Sequence, residues 1–401
     1  MKVKIVKIIM LVIILCGSLF LYMQYDVKKG YQHYIETHSA VETSYFDGKI
    51  DLFTEGESLF QAFFQDIKNA QKYVYVHFYI IREDDISLQF VELLKEKVNQ
   101  GVEVKLSVDY IGNHLSKKTI DNMVETGVSF TNSRSPKMHH FFYSLQHRNH
   151  RKLAVIDGEV SYLGGFNIGE EYLGNDRKLG YWKDYHLRVQ GNGTKAVERQ
   201  FAKDWEEDTG ELLAVKDDNQ ETNQDSFQFI FSTGEELEDT MVKLVESARE
   251  TIEIATPYFI PSQPLQKALI EAKRRGVQMK ILLPDETDNW LTKPASYPYI
   301  KTLMSEGVEI YFYTKGFFHG KVMMIDNKVA DVGTANWDKR SLYLNDESNC
   351  LIYNQDTVHE VEQQLKKDFS NSRKVTISYF NEIPIWEKWL MKMPKWMTYY
   401  L

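Results

Sequence analysis

The chain has 401 residues, of which 43% are hydrophobic and only 9 are proline, so it is large enough for a packed core bigger than one ordinary domain needs. A formal net charge of -9 argues against nucleic-acid binding driven by a general excess of Lys and Arg. Any bound anion must therefore be held by local positive charge. With Cys16 and Cys350 as the only cysteines, a disulfide framework and a cysteine-rich metal site are excluded.

The N-terminus combines early lysines with an uncharged apolar run from Ile8 to Met23. Together with its flanking Val and Ile residues, this run approaches the roughly 20 residues that cross a bilayer. We interpret residues 1–29 as a single transmembrane anchor that places the protein in the cell membrane. A cleaved signal peptide is the alternative, although no clean small-x-small cleavage site follows. Lysines on both flanks leave the side of the membrane open.

The rest of the chain repeats one pattern of elements. Residues 58–80 and residues 241–260 each have apolar positions at helical spacing followed by an alternating apolar run, which predicts a helix and then a strand. A second helix that ends at a glycine and a second strand follow in both copies. We therefore predict an α/β protein with two similar halves, residues 45–205 and 228–375, packed as a pseudo-twofold pair.

Two further segments flank the second half. Residues 206–227 are acidic, rich in amides and poor in large apolar side chains after Val215, which predicts an exposed linker. Residues 376–401 interleave three tryptophans with lysines, a composition typical of a membrane-interface segment. Packing of this tail on the globular body is the alternative.

One phrase of the sequence occurs twice, as "HRKLAVIDGEVSYLGGFN" from His150 to Asn167 and as "HGKVMMIDNKVADVGTAN" from His319 to Asn336. Residues two apart in a strand share one face, so the histidine and the lysine of each phrase point the same way. An imidazole beside an ammonium suits a phosphoryl oxygen, and the asparagine adds an amide donor after glycines that admit close backbone approach. Each phrase thus predicts half of an anion site.

If the two halves face each other, two such sets converge on one phosphate: His150, Lys152 and Asn167 with His319, Lys321 and Asn336. One imidazole then attacks phosphorus while the other protonates the leaving oxygen and later deprotonates the incoming alcohol or water, with no metal required. Each imidazole needs an orienting acid on its other nitrogen. Asp184 and Glu347 are the candidates, because they lie at similar distances downstream of the two histidines; a solvated acid or a salt bridge is the alternative for both.

A cluster of three histidines, His139, His140 and His147, precedes the first phrase. A metal site is one interpretation of such a cluster. We favour an exposed, basic loop near the active site, because the cluster has no fixed ligand spacing.

The doubled HxKxxxxD motif, followed each time by Gly-Gly or Gly-Thr and then Asn, resembles the phospholipase D superfamily over residues 51–373. Phrases such as "LGGFNIGEEYLG" and "VGTANWDKRSLYLNDE" resemble its bacterial cardiolipin synthase branch. The resemblance implies a cofactor-free phosphatidyltransferase that condenses two phosphatidylglycerols into cardiolipin and glycerol through a phosphatidyl-histidine. A hydrolase with the same site, either a phospholipase D or a nuclease, is the alternative.

The resemblance also assigns roles within the catalytic set His150, Lys152, Asp157, His319, Lys321 and Asp326. It implies that His150 is the nucleophile and His319 the general acid and base, while Asp157 and Asp326 support strand ends. The remaining assignments are phosphate binding for Asn167 and Asn336 and histidine orientation for Asp184 and Glu347. The implied partners are phosphatidylglycerol and membrane lipid rather than nucleic acid, with the oligomeric state left open.

The chain departs from the family pattern in two ways. It has one membrane segment where many members of the branch have two, which indicates a shorter, accessory type. The second phrase also has Gly320 and Thr334 where the first has Arg151 and Gly165. We expect neither difference to touch the chemical set.

Overall fold

The computed structural model describes residues 2–38, 41–215, 226–233, 236–394 and 396–401. Most of the predicted linker, residues 216–225, therefore lies outside the described residues. The start of that segment is helical, because the last helix of the first half ends at Thr209 rather than before residue 206.

Strands and helices alternate through the first half. Its strands are β1 (Val41–Glu42), β2 (Gly48–Phe53), β3 (Tyr73–Phe78), β4 (Glu103–Asp109), β5 (Ser129–Ser133), β6 (Arg148–Asn149), β7 (Leu153–Ile156), β8 (Val160–Gly164), β9 (Trp182–Lys183) and β10 (His186–Gly191). Its helices, after the N-terminal helix α1 (Lys2–Thr37), are α2 (Gly56–Asn69), α3 (Asp85–Asn99), α4 (Lys117–Thr126), α5 (Phe141–Gln146) and α6 (Thr194–Thr209).

The second half continues the same alternation. Its strands are β11 (Phe227–Ser232), β12 (Thr251–Ala255), β13 (Phe259–Ile260), β14 (Gln278–Pro284), β15 (Glu309–Tyr313), β16 (Phe317–Phe318), β17 (Val322–Ile325), β18 (Val329–Gly333), β19 (Trp337–Asp338), β20 (Asn345–Ile352) and β21 (Ser372–Lys374). Its helices are α7 (Glu236–Ser247), α8 (Gln263–Arg274), α9 (Thr292–Ser305), α10 (Lys339–Tyr343), α11 (Gln355–Ser370), α12 (Tyr379–Glu382) and α13 (Ile385–Leu390).

Each half is built on one sheet, and the two sheets have the same strand order. The first runs β2-β10-β8-β7-β3-β4-β5, and the second runs β11-β20-β18-β17-β12-β14-β15 with β1 and β21 added at its ends. In both sheets the last three strands are parallel and the other pairs are antiparallel. This correspondence confirms the predicted α/β class and the two similar halves.

The two sheets share an apolar core. Leu163 and Leu187 of the first sheet belong to the same buried cluster as Phe231, Val322 and Val332 of the second. Full burial of side chains of this size contributes about 1.5–3 kcal/mol each. The halves therefore form one body with an extensive apolar contact between them.

Two short parallel strand pairs also join the halves. Strand β6 pairs with the start of β20, and β9 pairs with β16. The two pairs are equivalent under the repeat, because β6 and β16 each directly precede the histidine of one phrase. They hold the start of each phrase against a strand of the opposite half.

Helix α1 extends well beyond the predicted anchor, since it continues to Thr37. Its apolar N-terminal part is exposed, and by length and composition the helix is able to cross a membrane. Its C-terminal third packs on the body instead, where Val27, Tyr31 and Tyr34 are buried together with Tyr143. The helix thus has a free apolar part and a docked part.

The aspartates that end the two motifs occupy equivalent tight turns. Asp157 has φ 55° and accepts backbone N–H bonds from Gln71, Lys72 and Tyr73 at 2.7–2.9 Å. Asp326 has φ 52° and accepts three corresponding bonds at 2.7–2.9 Å from the backbone N–H groups of residues 249–251, at the start of β12. Both carboxylates therefore hold the start of a central strand.

Removal of either carboxylate tests this supporting role. Because three backbone donors lose their acceptor, Asp157→Ala and Asp326→Ala should each lower the free energy of unfolding by about 1–3 kcal/mol. Denaturant unfolding of the detergent-solubilised protein measures this change. Glu159→Ala is the control, since Glu159 pairs with Lys72 at the surface and its loss should change stability by less than about 0.5 kcal/mol. Equal stability of all three variants and the parent would contradict the supporting role.

Candidate active site

The two phrases meet at a cavity of about 510 Å³ between the halves. His150, Asn167, His319 and Asn336 line it, so four predicted site residues share one space. Lys152 and Lys321 are buried beside the histidines of their own phrases, whereas neither Asp157 nor Asp326 lines the cavity. The structure therefore brings together the histidines, lysines and asparagines of both halves and leaves the motif aspartates outside.

The orienting acids cross between the halves. His150 Nδ1 lies 2.8 Å from Glu347 Oε2, and His319 Nδ1 lies 2.6 Å from Asp184 Oδ2. Both acids are fully buried. Each histidine thus takes its carboxylate from the opposite half, which leaves its Nε2 atom for the chemistry. His319 Nε2 lies 3.0 Å from Lys321 Nζ.

The short strand pairs between the halves position these dyads. The backbone N–H of His150 donates to the carbonyl of Asp346 at 3.0 Å, and the N–H of His319 donates to the carbonyl of Lys183 at 2.7 Å. Asp346 and Lys183 each directly precede an orienting acid. Main-chain hydrogen bonds therefore fix each histidine next to the carboxylate that it contacts.

Burial and charge set the protonation of the site. Desolvation lowers the pKa of His150 to about 4 and that of His319 to about 3, despite the neighbouring carboxylates, which raise both. Desolvation likewise lowers the pKa of Lys152 to about 7 and that of Lys321 to about 8. An anion in the cavity would stabilise the charged form of all four groups, so the site suits negative charge.

The two asparagines are held differently. Asn167 Oδ1 accepts from the Ile80 N–H at 2.9 Å, and its Nδ2 donates to the Tyr172 hydroxyl at 3.1 Å. The buried Oδ1 atom of Asn336 has no hydrogen-bond partner within the described residues. The Asn336 Oδ1 atom is therefore available to accept a hydrogen bond from a ligand hydroxyl, while Asn167 braces the cavity wall.

The sequence differences between the two phrases do touch the dyads, contrary to expectation. Thr334 Oγ1 donates to Glu347 Oε2 at 2.6 Å, and Arg151 Nε donates to the Glu347 carbonyl at 3.1 Å. A Cβ atom at Gly165 would lie only 1.9 Å from Asp184 Oδ1. Thr334 and Arg151 thus support one orienting acid, and the glycine makes room for the other.

The prediction that the histidine loop is exposed is wrong for one of the three histidines. His147 is buried, and its Nε2 lies 3.1 Å from Asp346 Oδ1. The same carboxylate accepts from Arg134 Nε at 2.7 Å and from the Tyr34 hydroxyl at 3.0 Å. Sequence reasoning did not identify this cluster, because its members come from distant elements.

Within the described residues no group of three or more His, Cys, Asp or Glu side chains is arranged to hold a metal ion.

The cavity has further polar walls that the motifs did not indicate. The Tyr258 hydroxyl donates to Asp288 at 2.6 Å, and Arg82 pairs with Glu171 at 3.1 Å. The end of the described chain also lines the cavity, where Arg340 bonds the carbonyl of Leu401 through its backbone N–H at 3.2 Å. The predicted tail is therefore part of the cavity wall as well as of the surface.

Comparison with known proteins gives consistent results. The family described as cardiolipin synthase, PLD-like domain, matches residues 63–205 and 241–369. The minor cardiolipin synthase of Bacillus subtilis is 36% identical over 383 residues, which cover 94% of this chain and 95% of the relative. A cardiolipin synthase of Clostridium perfringens is 36% identical over 83% of this chain and 73% of its own length. The phosphatidylserine synthase of Haemophilus influenzae superposes with a TM-score of 0.69 over 94% of this chain and 100% of that chain at 16% identity, which shows a shared fold.

The space at Gly165 gives a test of the local packing. Gly165→Ala should push Asp184 away from His319 and lower the free energy of unfolding by about 1–3 kcal/mol, because the new methyl group overlaps a buried carboxylate. Denaturant unfolding measures the change. Ser161→Ala on the adjoining strand is the control, since the buried Ser161 hydroxyl has no partner among the described residues and its loss should cost little. A Gly165→Ala protein as stable as the parent would show that Asp184 is not confined.

Proposed function

This chain belongs to the family of phospholipase D-like cardiolipin synthases, and from that premise we propose that it is a phosphatidyltransferase that makes cardiolipin and glycerol from two phosphatidylglycerols. The observation that carries the proposal is the pair of crossed imidazole–carboxylate dyads at one cavity. A phosphodiester between them meets a nucleophile on one side and a proton donor on the other. No cofactor enters the proposed reaction.

In the proposed first step, His150 Nε2 attacks phosphorus and the bond from phosphorus to the glycerol oxygen breaks. Glu347 accepts the Nδ1 proton of His150, which leaves the lone pair on Nε2. His319 donates its Nε2 proton to the departing glycerol oxygen, and Asp184 stabilises the imidazolium from which that proton comes. The product is glycerol and a phosphatidyl group bound to His150.

The second step reverses these roles. A glycerol hydroxyl of another phosphatidylglycerol gives its proton to neutral His319 and attacks phosphorus, so that the bond between phosphorus and His150 breaks. Lys152, Lys321 and the two asparagines stabilise the negative charge that develops on the phosphoryl oxygens in both steps. Water in place of the hydroxyl would give phosphatidic acid, the product of a phospholipase D.

The proposal places the catalytic body at the cell membrane. The exposed apolar part of α1 would cross the bilayer, in agreement with its length and composition. Exposed Trp386 and Trp389 on α13, with Lys388 between them, would contact the membrane interface. Phe20 of α1 lies 4.8 Å from Trp396 between ring centroids, so the tail and the membrane helix are on the same side of the body.

Substitution of the histidines tests the reaction. His150→Ala and His319→Ala should each abolish transfer. Lys152→Ala or Lys321→Ala should lower kcat/KM by about 10²- to 10³-fold, because each removes a positive charge that stabilises the transition state. Thin-layer or mass-spectrometric analysis of lipids made from labelled phosphatidylglycerol measures the product. The Glu159→Ala protein is the control and should keep the parent activity, because Glu159 lies on the surface outside the cavity.

Two results would contradict the proposed function. Near-normal transfer by either histidine variant would exclude the two-histidine mechanism. Phosphatidic acid as the dominant product of the unmodified enzyme, at every phosphatidylglycerol concentration, would favour the hydrolase instead.

The lowered lysine pKa values predict an alkaline loss of activity. A lysine is charged below its pKa, so Lys152 with a pKa of about 7 and Lys321 with a pKa of about 8 lose their charge as the pH rises through this range. For the free enzyme, kcat/KM should fall roughly tenfold or more between pH 7 and pH 9. Measurement in neutral detergent avoids surface-charge effects. Lys152→Arg should move the decline in kcat/KM to higher pH. A kcat/KM that does not change between pH 7 and pH 9 would contradict the role of the two lysine charges.

A further inference from the structure

The supports of the two dyads differ, although the dyads themselves are equivalent. Lys183 and Asp346 occupy matching positions, one residue before each orienting acid. The side chain of Lys183 approaches Asp368 of α11 at 3.6 Å, and α11 is a helix of the globular body. The side chain of Asp346 instead contacts the N-terminal helix through Tyr34. The N-terminal helix therefore contacts the residue next to Glu347, whereas the equivalent Lys183 is contacted by α11.

Asp346 is fully buried and is the centre of a buried cluster. Its Oδ1 atom accepts from the Tyr34 hydroxyl at 3.0 Å and lies 3.1 Å from His147 Nε2, while Oδ2 accepts from Arg134 Nε at 2.7 Å. Its backbone carbonyl accepts from the N–H of His150 at 3.0 Å. One residue thus connects the anchor helix, the strand that carries Glu347 and the chain segment that carries His150.

The anchor helix also holds the segment that leads to His150. Asp26 accepts from the backbone N–H groups of Phe142 at 2.8 Å and Tyr143 at 3.2 Å, in the first turn of α5. Gly30 lies directly against the Tyr143 side chain, where any Cβ atom would overlap it. Helix α5 continues through His147 into β6, which ends one residue before His150. Tyr34 therefore contacts β20 directly through Asp346, and Asp26 holds the helix that leads into β6.

We propose that the docked part of α1 is a positioning element of the His150–Glu347 dyad, with Tyr34 as its principal positioning residue. Tyr34 fixes the Asp346 side chain, and Asp346 fixes the backbone on which Glu347 and His150 face each other. The N-terminal helix is then more than a membrane tether, because it also supports the chemistry of one half-site. This inference rests on the proposed function, in which His150 carries the phosphatidyl group.

The dependence is specific to one chemical step. The His319–Asp184 dyad is supported by α11, so proton transfer to and from the glycerol oxygen keeps its geometry when α1 is disturbed. Formation of the bond between His150 and phosphorus depends on the orientation of the His150 imidazole. A change at Tyr34 should therefore slow the first step in the full-length, membrane-anchored protein without weakening substrate binding.

The experiment uses full-length Tyr34→Phe protein in neutral detergent, with monomeric short-chain phosphatidylglycerol so that membrane tethering plays no part. Rapid-quench measurement should show the rate constant of glycerol release in the first turnover lowered about 3- to 30-fold, with the burst amplitude unchanged and KM within twofold of the parent. A merely structural role would lower the burst amplitude, which counts active enzyme, and leave the rate constant unchanged.

Tyr73→Phe is the matched control. The Tyr73 hydroxyl also donates to a carboxylate, Glu198 Oε1 at 2.6 Å, but it lies at the start of β3 and does not line the cavity. This control should keep the parent rate constant. If Tyr34→Phe does not fold, Asp26→Asn takes its place under the same criteria, since Asp26 grips α5 from the same helix.

The outcomes separate this inference from the proposed function. A lowered first-turnover rate constant in Tyr34→Phe, with the parent value in Tyr73→Phe, supports the positioning role. A parent that makes cardiolipin together with a Tyr34→Phe protein of the same rate constant overturns the inference alone. A parent that makes no lipid product from phosphatidylglycerol overturns the proposed function itself.

Discussion

The exchange of orienting carboxylates between the halves is the constraint on which the rest of the structure depends. His150 contacts Glu347 and His319 contacts Asp184, so neither half contains a complete dyad. The exchange requires the start of each phrase to pair with a strand of the other half, as β6 does with β20 and β16 does with β9. The shared apolar core then holds the two sheets at the one relative position in which both exchanges occur. Duplication of the α/β unit is thus a condition for the site as well as a feature of the fold.

Electrostatics follow from this arrangement. Two imidazoles and two ammonium groups are buried around one cavity, and Asp184 and Glu347 are the acids in direct contact with the imidazoles. Desolvation lowers the pKa values of both histidines and both lysines. An anion in the cavity would raise these pKa values again. The negative net charge of the chain is therefore compatible with a cationic site, because the positive charge is confined to the cavity. A bound phosphate would favour the protonated form of these groups.

Much of the fold was predictable from the sequence, because a long repeat with matched helix and strand periodicity admits few arrangements. The duplicated phrase also identified His150, Asn167, His319 and Asn336, which line the cavity. The crossing of the acids was not predictable: Asp184 and Glu347 each follow a histidine at a similar distance, and sequence spacing cannot say which half supplies the contact. The roles of Thr334 and Gly165 were missed for a different reason: each contacts an acid of its own half, and the strand pattern does not show which side chains of neighbouring segments touch.

The N-terminal helix shows a second limit of sequence reasoning. Hydropathy identified the apolar run, but the docked part contains polar and aromatic residues such as Asp26 and Tyr34 that carry no membrane signal. Their partners lie more than 100 residues away, and only the tertiary structure brings them together. The buried His147 was likewise indistinguishable in the sequence from His139 and His140, because its partner Asp346 lies far along the chain.

Identification of the covalent intermediate tests the central claim most directly. The full-length enzyme would be mixed with short-chain phosphatidylglycerol, quenched within the first turnover under conditions that preserve phosphohistidine, digested and examined by mass spectrometry. The crossed-dyad mechanism predicts a phosphatidyl group on the peptide that contains His150 and none on the peptide that contains His319. An adduct on His319 alone, or cardiolipin formed in a single turnover with no histidine adduct at any time, would contradict it.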